Sequence, residues 1–443
     1  MNLSKIDLSE AVVALLARGE PLTAAQLSAA TGKSQPSISG ALKELGDRVH
    51  RIGAARSTRY ALNKDILGLQ AEQDLLWTDA QGNTHVLGRL THLHGNLLHT
   101  QVGQQEWFTQ AQLPWFLLPI RPQGYLGRQL AQHFPGFPSS PEAWSSEQVL
   151  YAAAQQSLDP PGAISLGKPS FQGSLPIATL HMPDLLNQFE FLIQRDASLP
   201  IARSSAGGEQ PKFTTLFPGT NTVHHLVKFS PPNATPFGKR WRALLMLEHL
   251  ANQILIPHDV ACAQTQILTN DVRTMLSSER FDRHSTHGKL HVVAIAALHD
   301  EFVKGSWTNW VITSEALAKQ GLISAQELSH VAQIFAFGHY IGNTDMHSGN
   351  LSFFVDDVIK PKIRLAPVYD MLPMMWKPDP HHGLSDSPVR QQFMPTGFAV
   401  EQEQAKQWAI EFWEQAATLD IGADLQAAST ESARRLKTNF AGL

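Results

Sequence analysis

The chain of 443 residues has a single cysteine, Cys262, which excludes intramolecular disulfide bonds and zinc sites built from several thiolates. It has no apolar run near the ~18 residues of a membrane-spanning helix, and its first residues are too polar for a signal peptide. Charged residues make up 17% and hydrophobic residues 43%, which is typical of a globular, core-forming protein rather than a disordered one. These features predict a cytoplasmic protein of two or three domains without a membrane partner.

The net charge of −4 is unevenly distributed, with an excess of positive charge at one end of the chain. Residues 1–65 hold nine Lys/Arg against six Asp/Glu, and within them residues 31–64 hold seven basic residues against two acidic ones. A basic segment on an acidic body predicts an anionic partner at that end of the chain.

Residues 1–65 show the pattern of three short helices followed by a hairpin. Leucines and a valine at helical spacing predict the first helix. Thr23 and Gln26 form a capping box for the second helix, and Ser34 can cap the third. Strand-like pieces follow at 49–52 and 58–62. This order of elements predicts a winged helix-turn-helix.

The segment resembles bacterial winged-helix regulators, most clearly in Leu22–Leu27 and Ser34–Ser39. In those proteins the third helix enters the DNA major groove and the wing contacts phosphates. Short polar side chains at a helix start can bond phosphates and base edges. The residues expected to face DNA are Ser34, Gln35, Ser37, Ser39 and Lys43 on the third helix and Arg56 and Arg59 on the wing. The alternative is a winged helix used for protein contacts or dimerisation.

Residues 66–160 are expected to form a β-rich subdomain that carries little chemistry. Short strand-like segments between Leu75 and Val102 are separated by turns with Gly-Asn pairs, which predicts a β meander. Four histidines lie here, but their spacing suits strands and turns better than a metal site: His85, His92, His94 and His99. The proline-rich segments 114–122 and 134–141 are predicted to be surface loops.

Residues 339–372 set two polar clusters among apolar runs. Asp345 and Asn350 have a D-x-x-x-x-N spacing, and Asp370 follows two apolar runs that predict a hairpin. Phosphoryl transfer needs a carboxylate that orients or deprotonates the acceptor hydroxyl, with an amide oxygen and a second carboxylate that hold Mg²⁺. The same residues are also common in ordinary turns, where Asp and Asn often lie beside Gly.

Other parts of an ATP site precede this motif. The small residues of 204–213 would let a backbone approach phosphates closely, and Lys228 lies inside an apolar strand. A lysine there needs a partner, and Glu248 is the only acidic residue of the helix predicted at 241–254. Residues 276–283 have the position of a hinge whose backbone binds adenine, although their charges would equally suit a surface ion-pair cluster.

In this order, the motifs resemble the HipA-like serine/threonine kinases, the toxin half of some bacterial toxin–antitoxin pairs. The resemblance covers residues 160–430 and rests on five motifs: Ser205–Lys212, Leu226–Lys228, Glu279–Arg283, Gly342–Asn350 and Leu365–Asp370. A winged helix fused to such a kinase is similar to the HipH/YjjJ-like subgroup. Family toxins usually depend on a separate DNA-binding antitoxin, and this chain departs from them in carrying its own winged helix.

The resemblance implies ATP and Mg²⁺ as cofactors, a protein substrate, and a HipB-like antitoxin as a partner. It implies that Asp345 is the catalytic base or orients the hydroxyl, and that Asn350 and Asp370 bind Mg²⁺. The residues implied to contact the nucleotide are Ser205, Gly207, Gly208, Gln210, Lys212, Lys228, Glu279 and Phe281. Autophosphorylation is implied for Ser205, with Ser204 as a substitute.

The predicted fold class is α+β, with an N-terminal winged helix-turn-helix followed by a bilobal HipA-like body. The predicted division is a DNA-binding domain at 1–65, a β-rich subdomain at 66–160, a kinase N-lobe and hinge at 161–300, and a mostly helical C-lobe at 301–443. The main interpretation is a growth-inhibiting toxin kinase that carries its own DNA-binding domain. Two alternatives stay open: a DNA-binding regulator with a non-catalytic kinase fold, and a small-molecule or lipid kinase.

Overall fold

The computed structural model has a mixed α+β fold. It describes residues 3–155, 159–167, 178–179, 185–187, 189, 210–217, 223–379, 381, 383–389 and 397–438, with the backbone alone at 3–7, 56 and 178–179. Short 3-10 turns at Gly46–Arg48, Ala55–Ser57, Pro141–Ala143, Ile256–His258 and Met374–Trp376 connect its longer elements.

Three helices and a two-stranded hairpin form the N-terminal part. The helices are Leu3–Leu16, Ala24–Thr31 and Gln35–Leu45, and the strands are Val49–Ile52 and Arg59–Leu62. The predicted caps are present, since Thr23 and Gln26 form a capping box and the Ser34 side chain accepts a hydrogen bond from Ser37 N. A small core holds the helices together, formed by Val12, Leu16, Leu27, Ile38, Ala41, Leu42, Leu45 and Leu62.

A five-stranded antiparallel sheet follows. Its strands lie in the order Gln105–Gln110, Leu97–Val102, Thr84–Leu93, Glu72–Thr78 and Ile164–Leu166. The sequence predicts the three central strands and misses the two at the edges. Helices Gly124–Ala131 and Ser146–Gln155 accompany this sheet.

The prediction of a surface loop is wrong for the first proline-rich segment. Trp115–Ile120 forms a 3-10 helix, and four of its six side chains are buried: Trp115, Phe116, Leu117 and Ile120. Their apolar area outweighs the turn signal of the prolines, because burying one such side chain contributes about 1.5–3 kcal/mol. In the second segment, residues 135–140 are largely exposed, as predicted.

A second five-stranded sheet carries Lys228. Its strands lie in the order Thr265–Thr269, Thr274–Glu279, Val223–Phe229, Lys212–Phe217 and Ala178–Thr179. The helix Pro236–Leu255 packs against three of these strands. It begins after Thr235, whose side chain accepts a hydrogen bond from Gly238 N, and Pro236 lies in its first turn.

The C-terminal part is mostly helical. Its helices are Ile295–Phe302, Trp310–Lys319, Ala325–Tyr340, Ala399–Ala416 and Ala423–Thr438. A three-stranded sheet of Val292–Ala294, Ser352–Val355 and Ile363–Leu365 lies among them, after the short hairpin Arg283–His284 and Gly288–Lys289. The predicted hairpin before Asp370 is confirmed, since Phe353 pairs with Leu365. Trp408, Phe412 and Trp413 lie in the main core.

Backbone contacts join the N-terminal part to the first sheet. His94 N donates to Leu62 O at 2.9 Å, and Lys64 N donates to His92 O at 3.0 Å. Gly19 and Gly95 approach so closely that a Cβ on Gly19 would lie 2.4 Å from the Cα of Gly95. Only glycine fits both positions, because both also have positive φ.

In the part of the chain that the structure describes, no helix is both long enough and apolar enough to cross a membrane. The 20-residue helix Pro236–Leu255 has the length, but it contains Lys239, Arg240, Arg242 and Glu248. The division into four domains and the cytoplasmic location both stay predictions.

Candidate active site

Lys228 is buried in the middle of the second sheet, where it is 3% exposed. Its Nζ donates to both carboxylate oxygens of Glu248, at 2.6 and 2.8 Å. Glu248 lies on the helix Pro236–Leu255 and is 2% exposed. The predicted pairing of strand lysine and helix glutamate is therefore confirmed, and each charge offsets the desolvation cost of the other.

Asp370 is a second acceptor for Lys228, through its Oδ1 atom. Its backbone has a φ of +53°, which few non-glycine residues adopt and which aspartate tolerates better than most. This turn directs the side chain back toward the strand of Lys228. The contact joins residues 142 positions apart and was not predicted from the sequence.

The three charges set one another's protonation. Burial would raise the pKa of Asp370, but the ammonium of Lys228, followed by that of Lys212, holds this pKa below its ordinary value. At Glu248 burial outweighs the effect of Lys228, so its pKa is raised. Burial would lower the pKa of Lys228, but the carboxylates of Asp370 and Glu248 raise it. Lys228 is therefore charged at neutral pH.

Asn343 links the two aspartates at the level of the backbone. Its Oδ1 accepts a hydrogen bond from Asp345 N at 3.0 Å, and its Nδ2 donates to Asp370 O at 3.3 Å. The residue is 2% exposed. One buried amide side chain therefore fixes the loop of Asp345 beside the turn of Asp370.

Asn350 and His347 shape the same loop. Asn350 Nδ2 donates to Asp345 O at 2.8 Å, so the amide nitrogen is used to close the loop. His347 Nδ1 accepts from Gly349 N at 2.9 Å, while His347 Nε2 lies 3.9 Å from Asp345 Oδ1. The Asp345 side chain is 49% exposed and therefore accessible to an acceptor.

Lys212 is the cross-strand neighbour of Lys228. Burial and the charge of Lys228 lower the pKa of Lys212, whereas Asp370, Glu248 and Asp345 act in the opposite direction. The neighbouring Gln210 has a buried Nε2 that makes no hydrogen bond within the described residues. Ser204, Ser205, Gly207 and Gly208 lie outside the described residues.

At the predicted hinge, the alternative of a surface ion-pair cluster is wrong. Glu279 ends the strand Thr274–Glu279 and is exposed, and Phe281 is partly buried. The charges around them do not form a surface cluster: Asp282 is 5% and Arg283 8% exposed. Arg283 Nη1 donates to Asp282 Oδ2 at 2.8 Å. Arg280 and Arg283 also pair with Asp159, which precedes Arg280 by 121 residues. Local sequence patterns could therefore not predict this buried ion-pair cluster.

Two backbone N–H groups of the predicted hinge already donate hydrogen bonds within the protein. Glu279 N donates to Gln264 O and Arg280 N donates to His224 O, both at 2.8 Å. An adenine ring at this edge would therefore depend on Phe281 rather than on these two N–H groups.

Asn343 and Tyr369 are two residues of this region to which the sequence reasoning gave no role. Both lie inside the quoted motifs. The signal for Asn343 was an amide in an otherwise apolar helix end, because a buried amide needs several partners. Tyr369 OH contacts Gly349 O and Ser352 Oγ, at 2.8 and 2.7 Å, and nothing in the sequence indicates that contact.

Asn350 and Asp370 could supply oxygen ligands to Mg²⁺, because hard amide and carboxylate oxygen atoms suit this ion. Asn350 Nδ2 is hydrogen-bonded to Asp345 O and Asp370 Oδ1 to Lys228 Nζ, which leaves the amide oxygen of Asn350 and the other carboxylate oxygen of Asp370 for a metal. Lys228 and Lys212 add positive charge beside them, which suits phosphate groups.

In the N-terminal part, the residues predicted to face DNA are exposed wherever their side chains are described. These are Ser34, Gln35, Ser37, Ser39, Lys43 and Arg59. Ile38, Leu42 and Leu45 of the same helix face the core. The side chain of Arg56 lies outside the described part.

Two family models match the chain. A HipA-like C-terminal domain matches residues 204–440, and the middle domain of a YjjJ-like toxin matches residues 69–175. Toxin YjjJ of Escherichia coli (strain K12) is 36% identical over 362 residues, which are 78% of this chain and 79% of that protein.

Two solved structures match the chain. One is a chain of the complex of HipA, HipB and operator DNA from the toxin–antitoxin system of Shewanella oneidensis MR-1. Its TM-score is 0.50 at 14% identity, over 82% of this chain and 95% of that one. The other is the Helicobacter pylori proinflammatory kinase CtkA, with a TM-score of 0.36 at 15% identity, over 53% of this chain and 91% of that one.

The first structural likeness shows a shared fold alone. The family follows from the sequence matches, because the HipA-like model covers more than half of the chain and the YjjJ relative covers more than two thirds. The chain belongs to the HipA-like toxin family, in its YjjJ-like branch.

Proposed function

We propose that the protein is an ATP- and Mg²⁺-dependent serine/threonine protein kinase of the HipA type that acts as a growth-inhibiting toxin. The observation that carries this proposal is the contact of one buried ammonium, Lys228, with both Glu248 and Asp370. A lysine paired with a helix glutamate beside a metal-binding aspartate is the arrangement that phosphoryl transfer uses.

Each residue then has a role. Asp345 orients the acceptor hydroxyl and takes its proton as the oxygen bonds to the γ-phosphorus, while the bond from that phosphorus to the β–γ bridging oxygen breaks and ADP leaves. Lys228 and Lys212 contact the phosphates, and Phe281 contacts adenine. Asn350 and Asp370 would hold Mg²⁺, which when bound supplies positive charge against the phosphate oxygens.

The loop before Lys212 has two proposed functions. Its backbone, with Ser205, Gly207, Gly208 and Gln210, would contact the phosphates. Ser205, or Ser204 in its place, is proposed as the autophosphorylation site, as the family resemblance implies. Glu279 would lie at the adenine end. The buried Nε2 of Gln210 makes no hydrogen bond within the described residues, which supports the presence of an acceptor in this region.

A transfer assay tests the kinase proposal. The full chain is incubated with γ-labelled ATP, Mg²⁺ and a bacterial lysate, and protein is then hydrolysed to amino acids. We expect labelled phosphoserine or phosphothreonine, and no label after Mg²⁺ is chelated. Label in lipid or small-molecule fractions alone would favour the lipid or small-molecule kinase. No transfer at all, with DNA binding intact, would favour a regulator with a non-catalytic fold.

We also propose that residues 1–65 form a winged helix that binds DNA. The exposed polar start of the third helix and the basic hairpin support this role. The similar complex from Shewanella oneidensis MR-1 contains HipA, HipB and operator DNA. A HipB-like antitoxin is accordingly proposed as a partner, although the winged helix would give this chain its own route to DNA.

Replacing Lys43 or Arg59 by alanine should weaken binding to a random-sequence DNA duplex several-fold. Each lost phosphate contact should make the negative slope of log K against log salt concentration shallower by about 0.9. Lys319 is the matched control, because it is an exposed lysine on a helix of the C-terminal part. Fluorescence anisotropy at several salt concentrations measures both quantities. Equal slopes for the wild type and both variants would contradict DNA contact at these residues.

A further inference from the structure

Tyr369 lies between the two residues proposed to hold the metal. It directly precedes Asp370 in the chain, and its hydroxyl reaches the loop that ends at Asn350. Tyr369 OH lies 2.8 Å from Gly349 O and 2.7 Å from Ser352 Oγ. The mechanism proposed above does not use this phenol.

The direction of both hydrogen bonds follows from the atoms involved. Gly349 O is a carbonyl oxygen and can only accept, so Tyr369 must donate its one hydroxyl proton there. Ser352 Oγ must then donate to the phenol oxygen. Burial raises the pKa of Tyr369, and the nearby charge of Asp370 acts in the same direction. The phenol is therefore protonated at neutral pH, as this geometry requires.

The bond to Gly349 O orients the peptide group that leads into Asn350. The backbone of Tyr369 leads into Asp370. One side chain thus connects the two segments that carry Asn350 and Asp370, in addition to the link that Asn343 makes to Asp345. The Tyr369 ring also lies 5.8 Å from that of Phe281, at the predicted adenine edge.

We propose that Tyr369 is a positioning residue: its hydroxyl fixes Asn350 relative to Asp370 and so sets the affinity of the site for Mg²⁺. This inference rests on the proposed function, because it assumes that Asn350 and Asp370 hold the metal. It assigns metal positioning to a phenol that touches neither the metal nor the reacting atoms.

The substitution Tyr369→Phe removes the hydroxyl and keeps the ring. We expect the Mg²⁺ concentration for half-maximal binding of a fluorescent ADP to rise about fivefold, the effect of one neutral hydrogen bond. Binding of the same ADP without Mg²⁺ should change less than about twofold, because the ring still packs against Phe281. The readout is nucleotide binding, so it does not depend on catalysis.

Two further variants separate positioning from general damage. Ser352→Ala removes only the bond donated to the phenol oxygen, and a smaller shift in the same direction is expected. Tyr151→Phe removes a hydroxyl on the remote helix Ser146–Gln155, and no shift is expected. Thermal unfolding is measured for all variants, and if Tyr369→Phe does not fold, the Ser352→Ala shift decides.

Each outcome has a definite reading. A rise in the Mg²⁺ requirement for Tyr369→Phe, with metal-free ADP binding kept, supports the inference. An unchanged Mg²⁺ requirement, or an equal loss of ADP binding with and without Mg²⁺, overturns it while the kinase proposal stands. A wild-type protein that binds ADP without any Mg²⁺ dependence would overturn the metal site itself, and the inference with it.

Discussion

Replacing Asp345 by asparagine should lower the rate of phosphate transfer by about 10²- to 10⁴-fold, the usual contribution of a positioned general base. The amide has nearly the same shape, but it cannot take a proton from the acceptor hydroxyl. Stability should change little, because the Asp345 side chain is 49% exposed and its ion-pair neighbour His347 is 3.9 Å away. Transfer of labelled phosphate and binding of fluorescent ADP are measured on the same preparations.

Two other aspartates provide the comparison. Asp370→Asn should lose transfer as well, but it should also weaken Mg²⁺-dependent ADP binding, because it removes the negative charge of a proposed metal ligand that is also a partner of Lys228. Asp300→Asn changes an exposed residue of the helix Ile295–Phe302 and should leave both measurements at the wild-type level. Full transfer activity in Asp345→Asn would refute the role of base, whatever the other variants do.

The site of Asp345 and Asp370 shows how much of the structure could be predicted from the sequence. The D-x-x-x-x-N spacing, the hairpin after it and the strand lysine are local patterns, and the structure has each at its predicted position. The pairing of Lys228 with Glu248 followed from burial, since an ammonium in an apolar strand needs a counter-charge and one acidic residue was available on the next helix.

What the sequence did not predict depends on contacts between distant residues. Asp370 contacts Lys228 as a second carboxylate beside Glu248, and it does so from a backbone of positive φ. No local sequence pattern predicts this conformation. The buried ion-pair cluster at the hinge needs Asp159, which lies just before the edge strand Ile164–Leu166 of the first sheet. The two hydrogen bonds of Asn343 form only when the loop of Asp345 and the turn of Asp370 lie side by side, so its role could not be predicted from the sequence.

Local signals also misled where they conflicted with burial. Prolines near Trp115–Ile120 predicted a surface loop, although the same stretch is rich in large apolar side chains and folds into the core. In the N-terminal part, by contrast, the caps, glycines and apolar spacing all agreed, and every predicted element is present. Agreement between independent local signals was the better guide.

The largest combined effect on stability and activity is expected for Lys228→Met. Methionine is apolar and leaves Glu248, which is 2% exposed, without its counter-charge. Breaking a buried ion pair in this way costs about 3–5 kcal/mol of unfolding free energy. Phosphate transfer should fall by about 10²-fold or more, because a charge aimed at the phosphates is lost as well. Chemical denaturation and the transfer assay measure the two effects separately.

A double variant distinguishes an unpaired charge from poor packing. Lys228→Met combined with Glu248→Leu removes the ammonium together with its buried partner, and it should recover part of the lost stability without recovering transfer. If the double variant is as unstable as the sum of the two single variants, the cost comes from packing and not from the stranded carboxylate.

The stability deficit of Lys228→Met should also depend on pH. In the wild type, Lys228 helps to hold the pKa of Asp370 below its ordinary value, so their pairing stabilises the protein at neutral pH and is lost on acidification through the folded-state pKa. In the variant, burial without the ammonium raises the pKa of Glu248 further above its ordinary value. A raised carboxyl pKa favours the folded state at low pH and disfavours it as the pH rises. The difference in unfolding free energy between wild type and variant should therefore be greatest near neutral pH and shrink toward acidic pH. A difference that is constant across this range would mean that Lys228 contributes through packing rather than through its charge.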